Sequence, residues 1–295
     1  MSDKVNKIIT EKLFELMEEK ELLPWEPGWY SRDVAPQNGT TGKFYRGINV
    51  LILTVERILR GYKSSRWATK KQMAAWGDGY KLKKGEKYTP IRMCKRIESK
   101  KEPGKFFFKV FFHQAYNQDQ FEGAEGLWPV EAKEPLGEDE WELEAALVLD
   151  GYLGDDGPKV VHGQSGAYYV PVTDTIGLPD RDDFHSSEEY WGTFLHEIAH
   201  STGAEKRLDR KMKGFQQDSH AYSFEELVAE MCSCFLLGML GIETQLPKSA
   251  AYIRGWKKTL KDDPKMLIMA AQKAQKAYDY VVGDSYESQD QTPNP

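Results

Sequence analysis

His196-Glu197-Ile198-Ala199-His200 sets two histidines four positions apart, with a glutamate directly after the first. Positions i and i+4 share one face of an α-helix, so both imidazoles can reach a single metal ion. Glu197 then stands beside the metal's water as a general base, and the pattern points to metal-assisted hydrolysis of a peptide bond. A catalytic centre of this type needs a third protein ligand and an open position. The longer form HExxHxxGxxH matches only as far as Gly203 and then meets Lys206, a cation that cannot serve.

The run Ser223-Phe224-Glu225-Glu226-Leu227-Val228-Ala229-Glu230 offers the missing arm. Glu226 is read as the carboxylate ligand. Glu230, one turn further on, is read as the acceptor that orients a metal-bound histidine. Ser223 with Glu226 also forms a capping-box signature, which would account for Glu226 without any metal. Glu225 is its nearest competitor, and Asp209 a weaker substitute. The expected cofactor is Zn2+, with Mn2+, Co2+ and Ni2+ as alternatives, because divalent affinity at such ligands is broadly shared. His220, Tyr222 and Tyr252 are the candidates for stabilising an oxyanion.

These residues need rigid elements to hold them. Ser186 and Glu189 form a capping box, and Trp191, Phe194, Leu195, Ile198 and Ala199 follow at helical spacing, with Gly203 as a stop. Met231 to Ile242 carries no charge, so the second helix is expected to be buried. Upstream, Trp141 to Leu153 reads as a helix and Lys159 to His162 and Ala167 to Pro171 as strands. Asp174 to Leu178 reads as an edge strand, and an open edge can take an extended peptide by strand addition. Beyond Pro247, Tyr252, Trp256, Leu260, Met266, Ile268 and Met269 fall in two helices that cover the core.

The 295 residues allow two domains. No apolar stretch approaches a membrane span, and Met1 to Lys20 is charged and helical rather than a signal peptide, so a cytoplasmic protein without membrane association is expected. Cys94, Cys232 and Cys234 match neither a redox nor a zinc-knuckle spacing and read as small core residues.

Charge is uneven along the chain. Thr40 to Val110 holds 19 Lys/Arg against 5 Asp/Glu, or +14, which leaves −20 for the rest of a chain of net charge −6. This pairs a polyanion-binding module with an acidic one. The expected domains are 1–125 and 138–282, joined by a linker at 126–137 and followed by a disordered tail at 283–295.

The basic module reads as α+β. A helix runs from about Asp3 to Glu21, and turns follow through Pro24 to Gly42. A second helix passes through Leu51, Leu53, Val55 and Leu59. Arg66 to Lys71 leads into a short helix, Lys81 to Lys87 is a basic turn, and Tyr88 to Arg96 pairs with Lys105 to His113 as strands. Basic residues interleaved with Tyr45, Trp67, Trp76 and Tyr80 fit single-stranded nucleic acid, in which cations follow phosphates and rings stack on bases. The competing reading places these aromatics in the core. The candidate contacts are Lys43, Tyr45, Arg46, Asn49, Arg66, Trp67 and Lys83.

Trp25 with its prolines, Asn38 to Asn49 read as N-x-x-T-G-K-x-Y-x-G-x-N, Ser65-Arg66-Trp67-Ala68-Thr69 and Gly85-Glu86-Lys87 recur with Tyr168-Tyr169-Val170-Pro171, Asp174 to Pro179, the HEIAH helix and Glu225 to Glu230. Taken together they resemble the ArdC family of antirestriction proteins, found on conjugative plasmids and related to the N-terminal region of TraC-type primases. The resemblance implies an N-terminal domain that binds single-stranded DNA and a C-terminal zincin-like metallopeptidase domain. It further implies protection of incoming DNA from host restriction, with a restriction enzyme or other host protein as possible peptide substrate. Carried over residue by residue, the metal motif falls on His196, His200 and Glu226, and the catalytic glutamate is Glu197. The contrasting function is a non-proteolytic DNA-binding protein whose metal is structural.

Overall fold

The computed structural model describes residues 35–74, 79–99, 104–124, 137–154, 156–210, 219–242 and 263–283, with scattered positions before and between them. The expected linker and tail fall outside these residues except for Gly137 and Gly283, as do Trp76 and Tyr252. Of the expected N-terminal helix, residues 7, 10–15 and 18 are described and helical. The chain is α+β and divides into two compact units, described through residues 35–124 and 137–283.

The first unit is built on a four-stranded sheet. Its strands are β1 (Gln37–Asn38), β2 (Arg66–Thr69), β4 (Thr89–Glu98) and β5 (Phe106–Asn117), in the order β1-β2-β5-β4. A separate pair joins β3 (Lys81–Leu82) to β6 (Phe121–Glu122). Helix α1 (Ile48–Arg60) packs on β4, and the short α2 (Lys70–Ala74) follows β2 directly. The two-residue period of a strand sends neighbours to opposite faces. Trp67 and Ala115 accordingly join Tyr45, Leu53 and Ile91 in one core cluster. Ala68 and Tyr116 join Met73, Phe121 and Ala124 in another. The expected hairpin is present, with Thr89↔Ala115 through Glu98↔Phe106 in antiparallel register. The segment Arg66–Thr69, read from sequence only as a lead-in to a helix, is an inner strand of this sheet.

Every residue of α1 from Ile48 to Glu56 is buried, and Gly61 ends the helix in the left-handed conformation (φ 67°). Its polar members need partners at that depth. Glu56 pairs with Lys12 and with Arg60.

The second unit stacks helices on a small sheet. Its elements are α3 (Glu138–Leu153), β7 (Lys159–Val161), β8 (Tyr168–Val170), β9 (Thr175–Gly177), α4 (Ser187–Ser201), α5 (Ser219–Leu240) and α6 (Pro264–Val282). Strand order is β7-β9-β8, with β7 parallel and β8 antiparallel to β9. This corrects the expectation that Asp174 to Leu178 supplies an edge: β9 is central because both neighbours pair with it, and β8 and β7 are the edges. Gly177 lies opposite Tyr168, and a Cβ at Gly177 would come within 2.4 Å of that ring. Helix α4 packs on α5, α5 on α6, and α4 also lies on β8 and β9. Cys232 and Cys234 are buried in α5. Met269, on a helix expected to cover the core, is 52% exposed and faces out from α6. Among the described residues, no helix is long and apolar enough to cross a membrane.

Candidate metal centre

Local sequence fixes the start of α4. The Ser186 side chain accepts the Glu189 N–H, and the Glu189 carboxylate accepts the His185 N–H at 2.8 Å, one residue before the usual reciprocal partner. Tyr190, Trp191, Phe194, Leu195, Ile198 and Ala199 are buried on the packed side. The helix end is held by two arginines, a favourable placement because the last carbonyls lack intrahelical donors and carry partial negative charge. Arg207 Nε donates to the Ser201 carbonyl at 2.8 Å, and Arg210 Nη2 to the Ala199 carbonyl at 2.8 Å.

Arg207 also reaches the sheet. It pairs with the Asp174 carboxylate, to which the Tyr169 hydroxyl donates at 2.8 Å and Lys206 approaches at 3.1 Å. Asp174 adopts φ 48°, a left-handed conformation uncommon outside glycine and tolerated best by Asn and Asp. Partial burial would raise its carboxyl, but hydrogen bonds from Arg207, Tyr169 and Lys206 outweigh this and hold it at about 2. Tyr169 and Asp174, quoted as motif residues, therefore tie β8 and β9 to the end of the helix carrying the histidines.

On the opposite face, three sequence-predicted groups converge. His196 Nε2 and His200 Nε2 stand 3.1 Å apart, with ring planes at 82°. Glu226 straddles them, one oxygen 3.6 Å from His196 Nε2 and the other 3.5 Å from His200 Nε2. Taking one donor atom from each residue, all three lie within 4.8 Å of one another. A tetrahedral site with bonds near 2.0–2.1 Å would space its donors by about 3.3 Å, so two nitrogens and a carboxylate at these separations fit a divalent cation. His196 and Glu226 keep 23% and 25% side-chain exposure, so the cluster is open on one side.

Glu226 reaches this position because α5 begins at Ser219, four residues before Ser223. Ser223 is thus inside the helix, and the capping-box account of Glu226 falls away. The rest of the centre is electrostatically tight. Burial would lower the His196 imidazole, but Glu226, Glu230 and Glu197 hold it above its ordinary value. Burial raises the Glu197 carboxyl, only partly offset by His196 and His200. Burial likewise acts to raise Glu226, yet His196, His200 and the Tyr222 hydroxyl bring it below the usual range. Glu230 is half-buried on α5 and acts on His196 through its charge. Of the oxyanion candidates, Tyr222 sits one turn before Glu226 and hydrogen-bonds it; the His220 side chain lies outside the described residues. Asp209 is not part of the cluster.

Sequence reasoning missed the partner of His200. Its Nδ1 lies 3.4 Å from Glu225, whose carboxylate is gripped by Arg210. The adjacent glutamates face different neighbours, since successive helical residues turn by about 100°. Arg210 gave no signal, because a lone arginine in a turn-rich stretch resembles any surface cation.

The first unit requires corrections. Trp67 is 1% exposed and Tyr45 7%, both inside the core cluster, so neither offers a ring to a base. Asn49 is buried and closes a two-point bond with the edge of β4: its Nδ2 donates to the Arg92 carbonyl and its Oδ1 accepts the Arg92 N–H, each at 2.7 Å. Lys83 Nζ is engaged by the Asp119 carbonyl at 2.8 Å. Lys43 is exposed, and Arg46 and Arg66 are half-buried. Among the described residues of this unit, the exposed rings include Phe44, Tyr88 and Phe106.

Comparison with known proteins agrees with this division. Residues 3–130 match the family described as the N-terminal domain of anti-restriction factor ArdC, and residues 148–273 match that of a zincin-like metallopeptidase. Two Escherichia coli proteins named DNA primase TraC are 36% and 34% identical over 91% and 94% of this chain. The chain spans only 26% and 20% of their lengths. The crystal structure of antirestriction ArdC protein from plasmid R388 is 29% identical and aligns with a TM-score of 0.74 in its Mn(II)-bound form, covering 96% of this chain and 99% of that one. Its metal-free form aligns at 0.73 over 95% and 97%. With both domains matched in order and a solved relative aligned nearly end to end, the chain belongs to the ArdC family of antirestriction proteins.

Proposed function

We propose that this protein binds single-stranded DNA through its first unit and hydrolyses a peptide bond at His196, Glu197, His200 and Glu226, protecting incoming plasmid or mobile-element DNA from restriction. The observation that carries the reading is the convergence of two imidazoles and a carboxylate from separate helices, open on one side and beside a buried glutamate. A purely structural site would be closed by a fourth protein ligand. His196, His200 and Glu226 would hold the cation. Zn2+ suits this donor set, and the Mn(II)-bound relative keeps Mn2+ beside it as an alternative, together with Co2+ and Ni2+.

A divalent cation held there would supply Lewis acidity, polarising a carbonyl and lowering the pKa of a water toward neutrality. Glu197, whose carboxyl burial raises, accepts the proton of the attacking water and returns it to the leaving amine. The Tyr222 hydroxyl, beside Glu226 and near Glu197, donates to the developing oxyanion. An extended peptide can add to edge strand β8, which lies on α4. A restriction enzyme or another host protein is the substrate class.

DNA contact falls to exposed cations, Lys43 together with Lys81, Lys84 and Lys87, and to the exposed rings Phe44 and Tyr88. The test pairs the two units in one assay. Glu197→Gln is expected to keep metal while losing peptide hydrolysis and protection. Protection at the wild-type level in that variant would leave DNA binding as the whole function and sink the peptidase reading.

A further inference from the structure

The helices that supply the centre meet at a second charged pair, Arg210 and Glu225, which the chemistry above does not use. Both side chains are almost wholly buried, at 3% and 2% exposure. Arg210 Nε donates to one Glu225 oxygen at 2.8 Å and Nη2 to the other. The same guanidinium donates to the Ala199 and His200 carbonyls at 2.8 and 3.3 Å and to the Thr202 hydroxyl at 2.6 Å. It therefore fastens the C-terminal turn of α4 to α5. With both oxygens held in the guanidinium fork, the Glu225 carboxylate is fixed in place and charge-paired as an anion.

That anion faces the back of a ligand. His200 Nδ1 is 3.4 Å from the Glu225 oxygen that Arg210 Nη2 also contacts, while His200 Nε2 faces His196 Nε2 at 3.1 Å. A neutral imidazole that keeps its proton on Nδ1, toward a carboxylate, presents the Nε2 lone pair on its other side. We propose that Arg210 and Glu225 are a positioning pair that holds His200 in the Nδ1-protonated tautomer with Nε2 turned to the metal, and thereby sets metal affinity. Neither residue touches the reacting atoms. The bidentate fork matters because it fixes both Glu225 oxygens and keeps this carboxylate from swinging toward the cation beside Glu226. A lysine would supply charge without the fork. The inference rests on the metal reading of His196, His200 and Glu226.

Calorimetric titration of the metal-free full chain with Zn2+ and with Mn2+ tests it. Glu225→Gln is expected to bind about 10–100-fold more weakly than wild type, the usual effect of removing an outer partner of a metal-bound histidine. Arg210→Lys is expected to shift in the same direction, and the Co2+-substituted spectrum of each folded variant to differ from wild type. A pair that only clamped helices would lower melting temperature and leave affinity and spectrum alone; that outcome overturns the proposal. A measurement on wild type guards against variants that fail to fold. The 15N histidine spectrum is expected to show His200 protonated at Nδ1, and protonation at Nε2 in the metal-free protein or Nδ1 ligation in the loaded one would overturn the proposal. Wild type that binds no divalent cation would instead sink the metal reading itself, and this pair with it.

Discussion

The two units spend their buried polar groups differently. In the first, the buried amide side chains bond to backbone, while Glu56 pairs with Lys12 and Arg60. Asn49 closes on Arg92, the Asn117 amide donates to the Ser64 carbonyl, Gln118 donates to the Ala124 carbonyl and Gln120 to the Lys87 carbonyl. In the second, Glu226 faces the Nε2 atoms of His196 and His200 and Glu225 faces His200 Nδ1, with Glu197 in their field. A side chain used up by a neighbouring main chain is scaffold. A group of titratable side chains gathered at the cost of desolvation, and still open on one side, is a site.

The contrast is sharpest within the family-motif residues. Asn38 accepts the Thr40 and Thr41 N–H groups, Tyr45 reaches toward the Trp67 carbonyl, Gly47 carries φ 56° at the start of α1, and Asn49 holds β4. The string N-x-x-T-G-K-x-Y-x-G-x-N thus describes how a turn, a helix and a sheet edge fit together, with Lys43 as its charged member in solvent. HEIAH and the Glu225–Glu230 run instead bring titratable side chains from two helices against one another.

The largest effect should come from breaking the second unit's convergence. His196→Ala removes one of three donors, and metal analysis of the purified variant is expected to fall to background while circular dichroism stays near wild type. Metal retained at one ion per chain would dissolve the distinction between the two units.

The next effect belongs to the first unit. Trp67→Ala empties a fully buried site and should cost about 3–5 kcal/mol in urea unfolding, as large aromatic truncations do. Trp67→Phe keeps most of the packing and should leave DNA affinity unchanged. A loss of affinity in Trp67→Phe without loss of stability would return Trp67 to the interface.

A smaller effect lies at the joint between sheet and helix in the second unit. Asp174 has a folded-state pKa of about 2 against an ordinary 3.8, so its stabilisation is fully present above about pH 4 and fades as pH falls toward 2. After allowance for its partial exposure, Asp174→Asn should cost on the order of 1–2 kcal/mol at neutral pH. The gap from wild type should narrow in urea titrations as pH drops below about 4. A gap that stays constant from pH 6 to 3 would show that the Arg207 pairing does not carry the stability.

Legibility in the sequence followed the range of the interaction. The histidine pair was readable because helical spacing fixes which residues share a face, Glu226 because the family's metal motif falls on it, and the β4–β5 hairpin because its strands lie close in the chain and the second is rich in phenylalanine. Three features depended on distant partners. Trp67 could be placed inside only once β2 was known to pair with β1 and β5. The central place of β9 depends on β7 and β8 lying on either side of it. Glu225 could not be told from Glu226 by spacing, since what separates them is an arginine 15 positions away that reaches one and not the other. The false capping box at Ser223 has the same origin: the helix starts a turn earlier than its local signature implied.

The smallest effect separates surface from core inside the first unit. Lys43, Lys84 and Lys87 are exposed, and removing surface charge from such positions moves stability little. Each lysine that neutralises a phosphate of single-stranded DNA contributes about 0.7 to the slope of log affinity against log salt. The triple Lys→Ala variant should therefore melt within about a degree of wild type yet show a slope shallower by about 2. Because this slope reports phosphate contacts alone, it is blind to stacking by Phe44 and Tyr88 and isolates the cations. An unchanged slope would move the DNA path to other cations of the unit, and the assignment of polar and aromatic motif residues to scaffold would stand on the buried geometry alone.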